Sequence, residues 1–544
     1  MALIGPAASR ALRPTRRDVL LIVLSLAFAL LFLTPGQHPN AVVPRPSSKS
    51  GSRFGKWGAI LGPAGAGHTV AREPTFEETV QPAGFVSSDG VDHDDGAESD
   101  EFAARSTVLL GHTAGWTMFE RIYIYNGQMV VVTDKRDDYP ALRLMTSTGL
   151  PSLDEPGNIE AREPIGNEII FMTPAEAHEL WGNNVERMRG MTWLWNDGQF
   201  LDHYYHFAAE ILLASWRVHA AQDMAQNIDE HGHSATFTPP DRIWFLHQNV
   251  REWRDRHKFN AILMYALFPN IALLYPEDWD DIKASTKTES RKKAYVLDRA
   301  ILADRSAAFR GEFTGPTQRT YAGAVAFGKA SRWFWEPARR QILRWSGLDE
   351  DIINRNLEGF GAVNPDIWEK YSSAPGSTDP KALAPAGNYK PLVTYISRQG
   401  GRRSLTKESH EDLLKAIKER QKTVDFDFLE VDAEKYSKEE QFAIAGRTTI
   451  MLGVHGNGLT HLLWMPPTPR SAVIEMFCKG GFAHDYMWTA THLGIRHYAI
   501  QHDEAHTSPN QPKVDYPEDF QSERITVVGK VVADVIERRL AGKT

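Results

Sequence analysis

A single cysteine, Cys478, stands in the 544 residues, so no disulfide can close within the chain and a disulfide-stapled fold is excluded. No Asn-x-Ser/Thr sequon occurs either, which removes a common mark of luminal glycoproteins without excluding the lumen. Positive charge is not in excess. The net charge is -8 and the isoelectric point about 6.2, which leaves no global attraction to nucleic acid. No internal repeat is visible, which argues against a repeat array. The glycine turn that follows a strand comes late in its domain and lacks the longer Gly-x-Gly-x-x-Gly fingerprint, against a dinucleotide oxidoreductase. Aromatics are not scarce: 15 Trp within a 10% aromatic content suit a large core and equally suit stacking on sugars.

Long hydrophobic runs are also rare, with one exception. Val19 to Leu33 is almost unbroken and follows Arg10, Arg13, Arg16 and Arg17, a charge placement that keeps the amino side cytosolic. No small-x-small site follows at Thr34 to Gln37, so the run reads as an uncleaved signal anchor in a thin early-secretory membrane; a cleaved signal peptide is the alternative. The expected order is a cytoplasmic tail (1–18), a transmembrane anchor (19–34), a flexible stem rich in Pro, Gly, Ser and Asp (35–105), and a globular part long enough for two domains. That describes a single-pass type II protein of the Golgi or ER membrane with its globular part luminal. Asp92-His93-Asp94 is formally Asp-x-Asp, in a stem with no core to fix it.

The globular part alternates strands and helices. Arg121 to Thr133 holds two β-rich runs around Asn126-Gly127, a hairpin signal. Trp193 to Val218 passes from a turn at Asn196-Asp197-Gly198 into a helix with Asp202 as N-cap and Phe207, Ile211, Leu212 and Trp216 as the buried stripe. Strands are expected at Asp241 to Leu246, Ile271 to Tyr275 and Ala294 to Ala303, the last ending in Asp304-Arg305, with a helix over Arg251 to Phe268. A Pro/Gly/Ser-rich tract (365–389) separates a first domain (106–364) from a second (390–544). There the pattern restarts: strand Leu392 to Ser397, loop Arg398 to Arg403, helix Lys407 to Arg420, strand Asp427 to Val431, helix Ser437 to Gly446, strand Thr448 to Val454, helix Leu459 to Met465 and strand Ala472 to Phe477. Ile525 to Val528 reads as a last strand, and Val531 to Leu540 as a helix packing back across the domain junction. The class is α/β, with layered sheets.

Chemistry gathers at the carboxyl ends of these strands. The turn His455-Gly456-Asn457-Gly458 leaves amides of the next helix unpaired and aimed past the strand, a natural anion site. The loop after Ser397 supplies Arg398, Arg402 and Arg403, whose guanidinium forks suit phosphate oxygens; a solvated basic turn is the plainer reading. Glu475 ends its strand where it can accept two ribose hydroxyls, and a buried structural carboxylate fits as well. His206 with Glu210 four residues on can serve as a general base, with Asp202 competing for the role, while a hydrogen-bonded core histidine is the plainer reading. His203 and His206 lack a third ligand for zinc.

Several of these stretches, in order, resemble glycosyltransferase family 61: the Asn126-Gly127 hairpin, Tyr204-Tyr205-His206-Phe207, Ile396-Ser397-Arg398 with its arginine pair, Glu439-Glu440-Gln441, and the His-Gly-x-Gly-Leu-Thr block His455, Gly456, Asn457, Gly458, Leu459 followed by Pro466-Pro467 and Glu475. The family includes plant β-1,2-xylosyltransferases, xylan arabinosyl- and xylosyltransferases and secretory-pathway O-GlcNAc transferases. The resemblance implies a GT-B fold of two Rossmann-like lobes and an inverting single displacement. It implies a UDP-sugar donor, as a substrate held mainly by the second lobe, a polysaccharide or glycoprotein acceptor at the first, and no required metal. His203 and Phe207 depart from the family's usual Asn and Trp, on the acceptor side. Two alternatives stand beside it. One is a metal-dependent transferase holding manganese at Asp278-Trp279-Asp280, which otherwise reads as an acidic loop capping the next segment. The other is a catalytically silent glycan-binding protein of the same fold.

Overall fold

The computed structural model describes residues 105–543 apart from 154, 222–236, 287–291, 329, 331–333, 356–389, 401–402, 469 and 523. The expected tail, anchor, stem and interdomain tract, and the stem's Asp-x-Asp, therefore lie outside the described residues. Among the described residues no helix is long and apolar enough to cross a membrane.

Two sheets organise the chain. The first is formed by β1 (Val108–Thr113), β2 (Trp116–Tyr125), β3 (Gln128–Val132), β4 (Ile169–Met172), β5 (Val185–Trp195), β6 (Arg242–Phe245), β7 (Ala272–Leu274) and β8 (Ala294–Ala303), in the order β4-β3-β2-β8-β5-β6-β7 with β1 on β2. Its β8-β5-β6-β7 half is parallel and β2 runs against β8. The second is formed by β9 (Leu392–Ser397), β10 (Asp427–Asp432), β11 (Ile450–Val454), β12 (Ala472–Phe477), β13 (Arg496–Gln501) and β14 (Glu504–His506), in the order β10-β9-β11-β12-β13-β14 and parallel except for β14. This mixed α/β architecture of mainly parallel strands fits a Rossmann-like fold.

Local chemistry explains the turns and helix starts. The β2-β3 hairpin turns at Asn126 (φ 52) and Gly127 (φ 76), the two consecutive left-handed residues that an Asn-Gly pair tolerates. We number the helices used below in chain order. Helix α1 opens as a π-turn, His206–Leu212, and continues as Leu213–Ala220; α2 is Phe259–Leu267 and α3 is Glu336–Trp345. In the second half α4 (Lys407–Arg420) is capped by the Thr406 hydroxyl and α5 (Lys438–Arg447) by a reciprocal Ser437/Glu440 box, while α6 is Asp485–His492 and α7 is Gly529–Leu540.

Four expectations change. The helix over Arg251 to Phe268 shrinks to α2, because Asn249 and Asp255 spend their side chains on local turns and Lys258 adopts φ 68. The helix after the glycine turn is a 3-10 helix, Asn457–Trp464. Ile525 and Val527 make only single bridges, to Leu405 and His502. Helix α7 packs on α4, where Arg420 pairs with Asp534 and Glu537, and so stays with the second sheet.

One core serves both sheets. A single apolar cluster contains Trp193, Trp195, Phe207 and Trp216 from the first half and Phe442, Met451, Trp464 and Val473 from the second. Indole N–H groups seal it across the junction: Trp464 Nε1 donates to the Tyr204 hydroxyl (2.8 Å) and Trp335 Nε1 to the Leu463 carbonyl (3.0 Å). The sheets are thus held so that their parallel strands' carboxyl ends supply a common site.

Candidate active site

The site is built where β5 and β8 end in one half and β9, β11 and β12 end in the other. In the first half, Asp197 follows β5 and Arg305 follows β8, and the parallel pairing of the two strands brings them together. Arg305 Nε lies 2.5 Å from Asp197 Oδ2 and its Nη1 2.5 Å from Glu210 Oε2 on α1. All three side chains are buried, so this pair of carboxylates is tolerable only because the guanidinium neutralises it. Burial alone would raise the Glu210 carboxyl; His206 and Arg305 outweigh it and hold it down at about 2. Glu210 is therefore a carboxylate, and His206 Nδ1, 2.8 Å from Oε2, carries the proton it donates there.

Asp202 and His203 are exposed. Asp202 is not the cap expected of it: helical turns already begin at Tyr204, the π segment has no side-chain cap, and the turn before is made by Phe200 at φ 51. The His203 and His206 rings lie 4.9 Å apart at a tilt of 48°. Among the described residues no group of three His, Cys, Asp or Glu side chains could hold a metal ion. Asp278 sits in the first turn of the helix Pro276–Thr286, where its Oδ2 accepts from the Tyr275 amide (2.7 Å), as a helix-start residue does.

In the second half, β11 ends at Val454 and the chain turns through His455 and Gly456 into the 3-10 helix. Gly456 has φ 153 and ψ 175, a region open in practice only to glycine, and a Cβ there would overlap the Arg398 guanidinium. Arg398 Nη1 also donates to the His455 carbonyl (3.3 Å). The turn and the arginine after β9 therefore fit as one unit. Arg403 lies near enough that its charge, with those of Arg319 and Arg398, adds to burial in keeping His455 neutral.

Glu475 does not sit where a ribose could reach it. It is fully buried, with Oε1 2.5 Å from His455 Nδ1 and Oε2 2.7 Å from His497 Nε2, so both oxygens are already taken by imidazoles. Burial pushes its pKa up, the Asp485 carboxylate adding to it, while His455 keeps 12% of its side chain exposed. Leu459 is likewise no ligand: its side chain is buried against Gly453 and its amide is spent on the Gly456 carbonyl. Asn457 turns its Oδ1 to the Tyr205 amide (3.2 Å), tying the glycine turn to the residue before His206. Gly458 packs its bare Cα against Ile396. Arg402 lies outside the described residues.

The structure thus brings His206, Glu210, Arg398, Arg403, His455, Gly456 and Asn457 into one neighbourhood. It adds Asp197, Arg305, Arg319, Asp485 and His497, which the sequence analysis did not single out. Asp197 and Arg305 had a readable signal, since each directly follows a strand of a parallel pair; the others had none.

Comparison with known proteins agrees with this placement. Residues 204–474 match the family Glycosyltransferase 61, a span that runs from α1 to within β12 and so contains most of these residues. A stretch of 83 residues is 36% identical to the EGF domain-specific O-linked N-acetylglucosamine transferase of Drosophila melanogaster. That stretch is 14% of this chain and spans only 15% of the relative's length.

Proposed function

We propose, since the chain belongs to glycosyltransferase family 61 through residues 204–474, that it is a glycosyltransferase moving a sugar from a UDP-sugar to a hydroxyl of a glycan or glycoprotein. N-acetylglucosamine, xylose and arabinose are the donors to try first, the first because the Drosophila relative is named for it. The UDP diphosphate lies over the amides that follow Gly456, facing Arg398 and Arg403. Fixed cations at that point stabilise the charge that develops as the glycosidic bond breaks. Glu475 orients His455 in this reading and does not bind ribose. His206 Nε2 takes the proton of the acceptor hydroxyl, with Glu210 holding the ring. The acceptor oxygen bonds to the anomeric carbon from the face opposite UDP, the bond from that carbon to the β-phosphate oxygen breaks, and its electron pair leaves with UDP. One displacement inverts the anomeric centre, and no metal is required.

The observation that carries the reading is the Tyr205 amide donating to Asn457 Oδ1. It ties the segment that carries the buried His206–Glu210 dyad to the arginine-backed glycine turn, and in this reading the two face each other across one cleft. Two Rossmann-like sheets with the cleft at their strand ends support a GT-B arrangement. The run Val19 to Leu33 with its preceding arginines supports an early-secretory membrane and a luminal globular part.

The test is a panel of UDP, UDP-GlcNAc, UDP-xylose and UDP-arabinose in thermal shift, since a ligand at 100 times its dissociation constant adds about 2.7 kcal/mol. Arg403→Ala is expected to lower UDP affinity tenfold or more, about 1.4 kcal/mol. His206→Ala is expected to keep UDP binding and lose transfer by about a hundredfold or more. A chain that binds no uridine nucleotide sinks the proposal.

A further inference from the structure

One guanidinium touches both walls of the cleft. Arg319 is 6% exposed, and its Nη1 lies 2.7 Å from Asp485 Oδ1 and 3.9 Å from Glu210 Oε1. Its Nη2 lies 3.4 Å from the Tyr516 hydroxyl, and its Nε is buried without a hydrogen-bond partner among the described residues. Asp485 opens α6, just beyond β12, and Tyr516 packs on Phe520 (4.9 Å between rings), which packs on His455 (5.0 Å). Tyr205, next to His206, donates its hydroxyl to the Asp485 carbonyl (2.9 Å). Arg319 thus stands between the acid that orients the base and the wall that faces the leaving nucleotide.

We infer that Arg319 is a positioning residue that couples the two halves of the site, its charge divided between Glu210 and Asp485 and thereby setting how firmly the His206–Glu210 dyad holds a proton. This rests on the functional reading above. The charged and titratable groups facing the dyad are His203 on its own segment, Arg305 with Asp197 behind it, Arg319 with Asp485 behind it, the Tyr205 and Tyr321 hydroxyls, and Arg403 from the loop after β9. Arg305 is fixed by two carboxylates of its own half. Arg319 differs in that its neutralising partner belongs to the nucleotide half. Removing the Arg319 charge leaves the dyad with one cation fewer, so it keeps its proton to higher pH; removing the Asp485 charge leaves Arg319 unshielded and does the opposite.

The experiment follows hydrolysis of the panel UDP-sugar that the full chain turns over fastest, between about pH 4 and 9, with UDP affinity measured by calorimetry. Arg319→Gln is expected to move the acid limb of the rate profile up by about one pH unit, and Asp485→Asn to move it down. Both should keep UDP affinity within about threefold of wild type, and Arg319→Lys should return the limb. A packing defect lowers both rates without opposite shifts, and Asp485→Asn carries the test alone where Arg319→Gln does not fold. Limbs that stay put or move together overturn the inference, as does lost UDP binding in Arg319→Gln, which makes Arg319 a nucleotide ligand. A wild-type chain that neither binds UDP nor hydrolyses any donor overturns the functional reading and this inference with it, before any variant is made.

Discussion

Glu210 shows how far a residue's chemistry can stand from its sequence context. It sits in an apolar helix, yet Arg305 and His206 keep it charged in a buried position, so folding and ionisation are linked. The sign follows from the depressed folded-state value. The stabilisation is complete above the ordinary carboxyl value of 4.5 and is lost as pH falls from there toward about 2, where the folded form also protonates. Glu210→Gln is therefore expected to flatten the acid side of the stability curve in that window, measured by urea unfolding at stepped pH. An unchanged slope would mean the carboxylate is not linked to folding. The sequence showed His206 and Glu210 as a spaced pair on one helix. It did not show Arg305 as their partner, because that contact spans 95 positions and depends on β5 and β8 lying side by side.

At the level of elements, apolar runs of strand length were the most legible. Ala294 to Ala303, Leu392 to Ser397 and Ala472 to Phe477 are found with the expected ends. The π-turn that opens α1 and the 3-10 form of Asn457–Trp464 were not legible. Both replace ordinary helix where buried side chains must meet partners from the other sheet, which no local pattern encodes. The turn between β11 and the 3-10 helix makes a sharper case, since its glycine reads as a flexible turn former but serves as room for Arg398. Gly456→Ala is expected to weaken UDP binding at least tenfold, about 1.4 kcal/mol, by displacing that guanidinium and straining φ. Equal UDP affinity in calorimetry would show that the arginine does not need the space.

For the molecule as a whole, two domains joined by a linker were expected, and the two sheets share one apolar cluster. Trp464 is wholly buried and bonded to Tyr204 of the other half, so neither half can leave without exposing indole and an unpaired hydroxyl. The globular part is expected to melt in one calorimetric transition with equal calorimetric and van't Hoff enthalpies. Trp464→Phe should lower that transition without splitting it, at a cost of about 1 to 3 kcal/mol for the stranded hydroxyl. Two resolved transitions would contradict the shared core. The sequence concealed this because no local pattern around Trp335, Tyr204 or Trp464 marks them as partners across the junction.

The Asn457 amide side chain has a final implication. Because its oxygen is committed to the Tyr205 amide, on the reading proposed above the turn that faces the nucleotide and the seat of the base are set by the same few atoms. An enzyme wired this way gains little from hinging open and shut, so its speed limit is expected to lie in admitting a bulky acceptor.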